Sequence, residues 1–489
     1  MALLQTSLRA TIRNPLRALL LVIGVVLSKL GLITEQRARQ TVDLAWPRIV
    51  TGIARMSKNA ADVAMVGIVL GPAAIAGVGF ASPYWWSAFS IGGGLAAGTI
   101  ALVSQRFGAK RFDALGQAIR SSALLVAVVT VPVAAIFWSF PELLISVLTT
   151  DPAALRFGAD YLHVLSLGVP FAALNLIGSR ALIGADDAWT PMVLRGTGAV
   201  TNIALNAIFI FGMGMGVVGA ALGTVLANVL VTAGLAIGVS RGRLPGVGEF
   251  PIQVSPTGRY VDRGTFRDLI EIGTPVIGRN SVWTVARFPM LAFVGMFGSS
   301  VVAAYIIARR IWGLMNTPGW GFGLAASSLV GQELGRSDEG TAEAFGYEIT
   351  RFSVATYVVS AALVVAFADQ IVYLFIQDPG NLSVPLAVTM VYVAALAIIP
   401  QGVTSTIAGA LDATGDTRWP FYSRFLGLFG FSIPLVYLGA TTSLGLVGIY
   451  LSFFGETLVS AVINYYRFST GKWKAISREY RPEPVPAQD

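Results

Sequence analysis

Of the 489 residues, 55% are hydrophobic and only 12% charged, against about 25% charged in soluble domains, so a water-soluble globule is excluded and most of the apolar surface must face lipid. The formal charge of +8 does not point to nucleic acid, because the bases sit in short segments between apolar runs, which is the pattern of membrane topology. Without Cys there are no disulfides or thiolate metal sites, and a single His, His163, excludes His-based metal clusters and leaves little for His-dependent catalysis.

The chain begins with residues 1–43, which have no small-residue cleavage site after their apolar part and so do not read as a removable signal peptide. Leu16 to Ile33 is apolar but interrupted by Arg17 and Lys29 and flanked by Arg9, Arg13, Arg37 and Arg39. That pattern predicts an amphipathic helix on the cytoplasmic membrane surface; a thirteenth span is the alternative. The first predicted span, 44–70, is long enough to cross a bilayer yet carries Arg48, Arg55, Lys58 and Asp62. Each charge there costs about 3 kcal/mol on insertion scales, so an acid at that depth is a functional site by default. Pro47 near its entrance is a kink or a gating element.

Five further windows of apolar residues follow at 76–104, 118–138, 158–182, 190–212 and 217–239, completing an N-lobe over 44–241. A linker rich in Pro, Gly and Arg occupies 242–264. A C-lobe over 265–470 holds windows at 268–296, 301–330, 348–368, 386–411, 419–439 and 445–467, and a cytoplasmic tail runs from 471 to 489. Bases collect after the second span (Arg106, Lys110, Arg111, Arg120), at the borders of the fourth and fifth (Arg180, Arg195), in the linker and in the tail. The loops between these are nearly free of bases, Arg156 excepted, so both termini are expected in the cytoplasm.

An internal repeat with an offset of about 228 residues organises the chain. Pro47 matches Pro275, the run ending at Gly71 matches that ending at Gly298, and Trp85 matches Trp312. VSQRFG (Val103 to Gly108) matches VGQELG (Val330 to Gly335), and Asp151-Pro152 matches Asp378-Pro379. Finally Ala181 to Pro191 matches Ala410 to Pro420 in an AL-x4-D-x3-P pattern. The expectation is an all-α integral membrane protein, with twelve transmembrane helices in two pseudo-symmetric six-helix lobes and an N-terminal amphipathic helix. Duplicated lobes of this kind are a transporter architecture.

These motifs, with the first-span run NAADVAMVG (Asn59 to Gly67) and the SQRFGAKR end of the second span, resemble the multidrug and toxic compound extrusion (MATE) transporters over residues 44 to 470. The resemblance implies a secondary antiporter that exports small amphipathic, often cationic, organic compounds in exchange for Na⁺ or H⁺ by alternating access. It implies no cofactor beyond that coupling ion. The partners it implies are a small-molecule substrate and the lipid of the cell (plasma or inner) membrane, with the chain acting as a monomer. It places the cation-coupling site on Asp62, Asn202, Asn206 and Thr224, where Na⁺ would find carboxylate, amide and hydroxyl oxygens, and a modulating role on Pro47. Two departures stand out. The family's fifth-span Asn-x-x-x-Asp reads here Asn202-Ile-Ala-Leu-Asn206, and Lys58 replaces an aromatic residue one turn before Asp62. At i and i+4 the two side chains are neighbours, so Lys58 is expected to neutralise Asp62 when no cation is bound.

Candidate substrate-cavity residues are Trp85, Trp312, Arg287 and Arg309. The deep bases Arg279, Arg287, Arg309 and Arg310 read either as partners of acids such as Glu456 or as an electropositive cavity wall. The second option favours a competing assignment, a lipid or lipid-linked oligosaccharide flippase of the wider superfamily. The Gly-rich runs at Gly92–Gly94 and Gly319–Gly323 lack the strand-then-helix context and the GK[ST] ending of a phosphate loop. An intramembrane enzyme is disfavoured, because no clustered acid pair supplies general acid–base chemistry.

Overall fold

In lipid every backbone N–H and C=O must be satisfied within the protein, and this chain does so almost entirely as helix. The computed structural model describes residues 14–376 and 383–481. Apart from helices, these residues hold one antiparallel pair of two-residue strands, Arg243–Leu244 with Gly248–Glu249, in the predicted linker. Among the described residues, seven helices are long and apolar enough to cross a membrane, or up to nine if each of two bent pairs is one span. Helices Glu35–Leu70 and Arg263–Gly295 are not among them. Each carries six or more charged residues, including Arg55, Lys58 and Asp62 on the first and Arg267, Arg279 and Arg287 on the second. On Phe112–Ser139, side chains such as Val128, Val131 and Ile136 stand outward, as a lipid-facing surface requires.

The helix that carries Asp62 starts at Glu35, nine residues before the predicted window. Thr34 caps it by accepting the Arg37 amide, and nothing between Glu35 and Pro47 breaks it. The segment 35–43 therefore belongs to this helix and not to the preceding one, Pro15–Lys29. That shorter helix buries Ala18, Leu20, Ile23, Gly24 and Leu27, with Gly24 close against Ala38 and Phe352. Arg17 pairs with Asp43 at 2.8 Å.

The described residues fall into two compact units, 50–277 and 14–49 with 278–481. The divisions lie within helices Glu35–Leu70 and Arg263–Gly295, the first long helix of each sequence repeat.

The repeat is also written in the backbone. Left-handed residues recur at matching positions: Gly71 (φ 78°) and Gly298 (φ 95°), Lys110 (φ 58°) and Ser337 (φ 65°), Asp186 (φ 67°) and Gly415 (φ 84°). Glycine takes this conformation without a Cβ penalty; Lys, Ser and Asp accept it here because the turn geometry is shared. Both copies also bend at the same place. Pro152–Ser166 meets Val169–Gly184 at 50°, and Ser383–Ala397 meets Gln401–Thr414 at 42°. Pro170 and Pro400 sit at these breaks and lack the N–H that would continue the helix.

The paired Asp motifs turn out to be helix caps and anchors. Asp151 accepts the Ala154 amide at 3.1 Å with Pro152 at the first helical position; its repeat partner Asp378-Pro379 lies outside the described residues. Asp187 accepts the Thr190 amide at 2.9 Å, while its counterpart Asp416 pairs with Arg467 at 2.6 Å. Close helix packing relies on small residues: a Cβ on Gly409 would run into the Gly323 carbonyl.

Asp262 caps helix Arg263–Gly295. Its Oδ1 accepts the Thr265 amide at 2.8 Å, and that bond holds the carboxyl below the usual carboxylate range. A carboxyl held low contributes stability that is present above the unfolded value of about 4 and lost as pH falls through the folded one. Asp262→Ala should therefore cost about 1 kcal/mol at neutral pH. Its Tm deficit in detergent should close as the pH drops below about 3, whereas a deficit that persists there would show the carboxylate is not the cap.

Candidate functional site

The unit 50–277 encloses a cavity of about 210 Å³. Helix Glu35–Leu70 contributes Arg55, Lys58 and Asp62 to its wall, Pro72–Gly108 contributes Trp85, Trp189–Ala207 contributes Asn202, and Gly216–Arg241 contributes Thr224. Asn202 and Asn206 stand four apart and so share one helix face. Immediately after Asn206 the helix widens into a π-helical turn, Ile208–Gly212, an irregularity often found at functional sites.

The four predicted coupling residues, drawn from three helices, converge. Asp62 is 7% exposed. Its Oδ2 lies 2.8 Å from the Lys58 ammonium, and its Oδ1 accepts from Asn206 Nδ2 at 2.7 Å. A half-turn of the Asn202 amide places its nitrogen 2.9 Å from Asp62 Oδ1 and its oxygen 3.0 Å from the Thr224 backbone N–H, which donates to it. In that orientation both asparagines donate to the carboxylate and the Asn202 amide is satisfied at both ends, so it is the arrangement adopted here. Thr224 Oγ1 in turn donates to the Ala220 carbonyl at 3.1 Å. The Asn206 oxygen is buried without a hydrogen-bond partner.

The chemistry of this cluster follows from what faces what. Two amide N–H groups and the Lys58 ammonium point at one carboxylate, so its oxygens already have donors on every side. A proton entering on Asp62, or an Na⁺ recruiting the Asp62, Asn206 and Thr224 oxygens, must compete with that ammonium.

Several residues here escaped the sequence reading. Tyr161 is 8% exposed and lies close to Asp62 and Thr224. Asn175, Asn228 and Thr232 continue the polar track: Asn175 donates to Asn228 Oδ1 at 2.9 Å, and Thr232 donates to Asn175 Oδ1 at 2.7 Å. The signal was present as Thr224, Asn228 and Thr232 at four-residue spacing in an otherwise apolar helix. Arg195 also lines the cavity, although in the sequence it marks only the border of a loop.

The other predicted residues sit differently. Trp85 is in the cavity wall. Pro47 lies inside helix Glu35–Leu70, in the unit that holds residues 278–481. In that same unit Trp312 is 4% exposed and packed in the hydrophobic core. Arg309 pairs with Glu456 at 2.7 Å and donates to the Tyr305 hydroxyl at 2.8 Å, with its guanidinium 4.7 Å from the Phe453 ring centre. Arg424 and Trp283 complete the surroundings of Glu456 at 3.7 and 3.3 Å. Arg279 holds Asp412 with two hydrogen bonds of 3.1 and 2.7 Å. Arg287 stacks on Trp283 at 3.7 Å. Of the two readings of the deep bases, ion pairing describes Arg279 and Arg309.

The MatE family model matches this sequence twice, over residues 47–208 and again over 275–438, which together exceed half of the chain. The chain belongs to the multidrug and toxic compound extrusion (MATE) family of transporters. Both matches open on the repeated proline, Pro47 and Pro275. Among curated MATE relatives, the probable multidrug resistance protein YoeA of Bacillus subtilis is 22% identical, covering 91% of this chain and 98% of its own. The probable multidrug resistance protein NorM of Bradyrhizobium diazoefficiens is 26% identical over 88% and 92%. The multidrug resistance protein PmpM of Pseudomonas aeruginosa is 25% identical over 84% and 86%. A solved MATE transporter described as outward-facing superposes with a TM-score of 0.82 at 21% identity, covering 90% of this chain and 96% of that one. A transporter of the MOP superfamily from Pyrococcus furiosus, whose description cites reverse polarity of its binding pocket, gives a TM-score of 0.81 at 21% identity over 89% and 96%.

Gly223 packs against the Asn206 side chain, and a Cβ there would run into the Asn206 oxygen. Gly223→Ala should therefore push the amide off Asp62 and lower stability by about 1–3 kcal/mol, read as Tm in detergent. In an Asn206→Ala background the same change should cost much less, because the clashing group is gone. Equal costs in the two backgrounds would contradict the geometry.

Proposed function

We propose that this MATE chain is a secondary antiporter that exports small amphipathic organic compounds by alternating access, driven by Na⁺ or H⁺ at Asp62. The observation that carries the reading is the Lys58–Asp62 pair of 2.8 Å, with Asn206 donating to the same carboxylate beside a cavity. Breaking a buried ion pair is costly unless the vacated charge is matched again, and an incoming cation of equal charge would match it, which is what a coupling site needs. The relatives named as multidrug resistance proteins support the substrate class in its broad form.

In the proposed cycle, the incoming cation takes the place of the Lys58 ammonium on Asp62. Lys58, released, turns its charge into the cavity, and substrate affinity changes between the two states. Coupling requires that difference, since a ligand that binds both states equally drives nothing. We further propose twelve crossings in two lobes (44–241 and 265–470) joined by the linker 242–264, both termini cytoplasmic, in the cell membrane, with the monomer as the working unit. The flippase assignment loses its main support, because Arg279 and Arg309 are engaged by Asp412 and Glu456.

Ethidium efflux from proteoliposomes, with sodium and pH jumps applied separately, tests the reading. Either gradient should drive efflux in the wild type, and Asp62→Asn should abolish the response to both while the protein still purifies as a folded monomer. Lys58→Ala should raise the apparent affinity for the coupling cation by about tenfold, an ordinary size for such coupling, since no internal ammonium has to be displaced. An unchanged cation dependence in Lys58→Ala would sink the displacement step; efflux that needs no gradient would sink antiport.

A further inference from the structure

The polar face of helix Gly216–Arg241 reaches further than the Asp62 cluster. Thr224, Asn228 and Thr232 stand four residues apart and so share one side of the helix. From Thr224 to Thr232 that side runs about 12 Å toward Arg241, the end that enters the linker. Asn175 of helix Val169–Gly184 meets it there, and Asn175, Asn228 and Thr224 line the same cavity as Asp62.

At its far end this track holds more acceptors than protons. The Thr232 hydroxyl has a single hydrogen to donate, yet three oxygens stand within its reach. They are Asn175 Oδ1 at 2.7 Å, the Asn228 carbonyl at 2.8 Å and the Phe171 carbonyl at 3.0 Å. The amide nitrogens nearby point mainly elsewhere. Asn175 Nδ2 is 2.9 Å from Asn228 Oδ1 and 3.4 Å from the Asn228 carbonyl, and Asn228 Nδ2 donates to the Thr224 carbonyl at 2.8 Å. Four oxygens thus gather around one proton, all of them hard, neutral donors of the kind that replace water around an alkali cation. Amide and hydroxyl groups have no proton to give up or take on at physiological pH, so the set suits a metal ion and offers a proton no resting place. Without a carboxylate in it, an ion is held by dipoles alone, loosely enough to leave again.

The second copy of the repeat shows that the fold does not require this arrangement. Gly216 and Gly445 are both left-handed at the start of their helices, with φ of 57° and 55°. At that offset Asn175, Asn228 and Thr232 correspond to Thr404, Thr457 and Ala461. There Thr404 donates to the Thr457 carbonyl at 3.1 Å and Thr457 to the Ala397 carbonyl at 2.5 Å, so the same helix contact closes without any amide.

We propose that Asn175 Oδ1, Thr232 Oγ1 and the carbonyls of Phe171 and Asn228 form a second station for a monovalent metal cation, Na⁺, beyond Asp62 on the linker side. An ion released when Lys58 returns to Asp62 passes through it on its way to the cytoplasm. That passage rests on the transport reading above; binding at the station does not.

Thermal stabilisation of the purified full-length protein in neutral detergent tests it, because an ion that binds only the folded state raises Tm. Na⁺ is titrated against K⁺ and choline at constant ionic strength. Asp62→Asn, alone or with Lys58→Ala, removes the first site, and Tm should still rise with Na⁺ more than with K⁺ or choline. Adding Thr232→Val, which keeps the shape and deletes one oxygen, should abolish that rise, and so should adding Asn175→Leu. No sodium-specific rise in the Asp62→Asn variants, a rise that survives Thr232→Val or Asn175→Leu, or an equal rise with K⁺ would overturn the proposal. In proteoliposomes, Thr232→Val should slow sodium-driven efflux by about tenfold while external Na⁺ still half-saturates at the wild-type concentration. A shift in half-saturation with the maximal rate unchanged would contradict a role after Asp62. Sodium stabilisation of Asp62→Asn without gradient-driven efflux by the wild type would sink transport and leave the station, whereas gradient-driven efflux without that stabilisation would do the reverse.

Discussion

A carboxylate on a membrane-depth helix has to be answered by charge and hydrogen bonds, and the structure of residues 50–277 is arranged around that answer at Asp62. Lys58 supplies the charge from one turn earlier on the same helix, and Asn206 supplies a donor from a helix 144 positions away in sequence. Removing Lys58 would leave a buried charge uncompensated, a cost of about 3–5 kcal/mol. The requirement fixes the rotation of helix Trp189–Ala207, which must turn Asn202 and Asn206 inward. It also fixes Gly216–Arg241, whose Gly223 gives the Asn206 side chain room and whose Thr224 receives Asn202. In the proposed cycle, the same pair is the contact that a coupling cation breaks.

The two copies of the repeat have spent their polar residues differently. Met290 occupies the repeat position of Asp62 and is packed in the core. Acids in the second copy are instead closed off, Asp412 by Arg279 and Glu456 by Arg309, Arg424 and Trp283. A carboxylate bound bidentately by arginine and surrounded by rings has little freedom to exchange its partner. The first copy instead pairs Asp62 with a lysine in the wall of a cavity that Arg55 and Arg195 also line. The second copy thus uses these residue types to hold helices together.

Much of the fold was legible because lipid narrows the choices. Apolar windows must be helices, and each window is helical, although those at 158–182, 301–330 and 386–411 each break into two helices. The largest difference is at Glu35, because hydropathy measures what lipid tolerates and not where a helix starts. Asp62, Asn202, Asn206 and Thr224 were legible because a polar side chain in an apolar run is exceptional, and because the ordered motifs around them resemble the family. The partners of the deep bases were not. Arg309 and Glu456 are 147 positions apart, and spacing says nothing about which faces of two distant helices meet. Arg195 reads as a topological marker at a loop border, and only the packing of its helix shows that it lines the same cavity as Arg55.

The sequence by itself determined an all-helical membrane chain, its duplication, its family and the identity of its one intramembrane acid on the first long helix, because each of these rests on local periodicity, composition or repeated motif. Tertiary structure decided that Asn202 and Asn206 turn their amides toward Asp62, that Asp412 and Glu456 of the second copy are held by arginine, and that Arg55 and Arg195 line one cavity. Those outcomes depend on helix rotation and register, which are set by side-chain packing between segments far apart in the chain, and no local pattern carries that information.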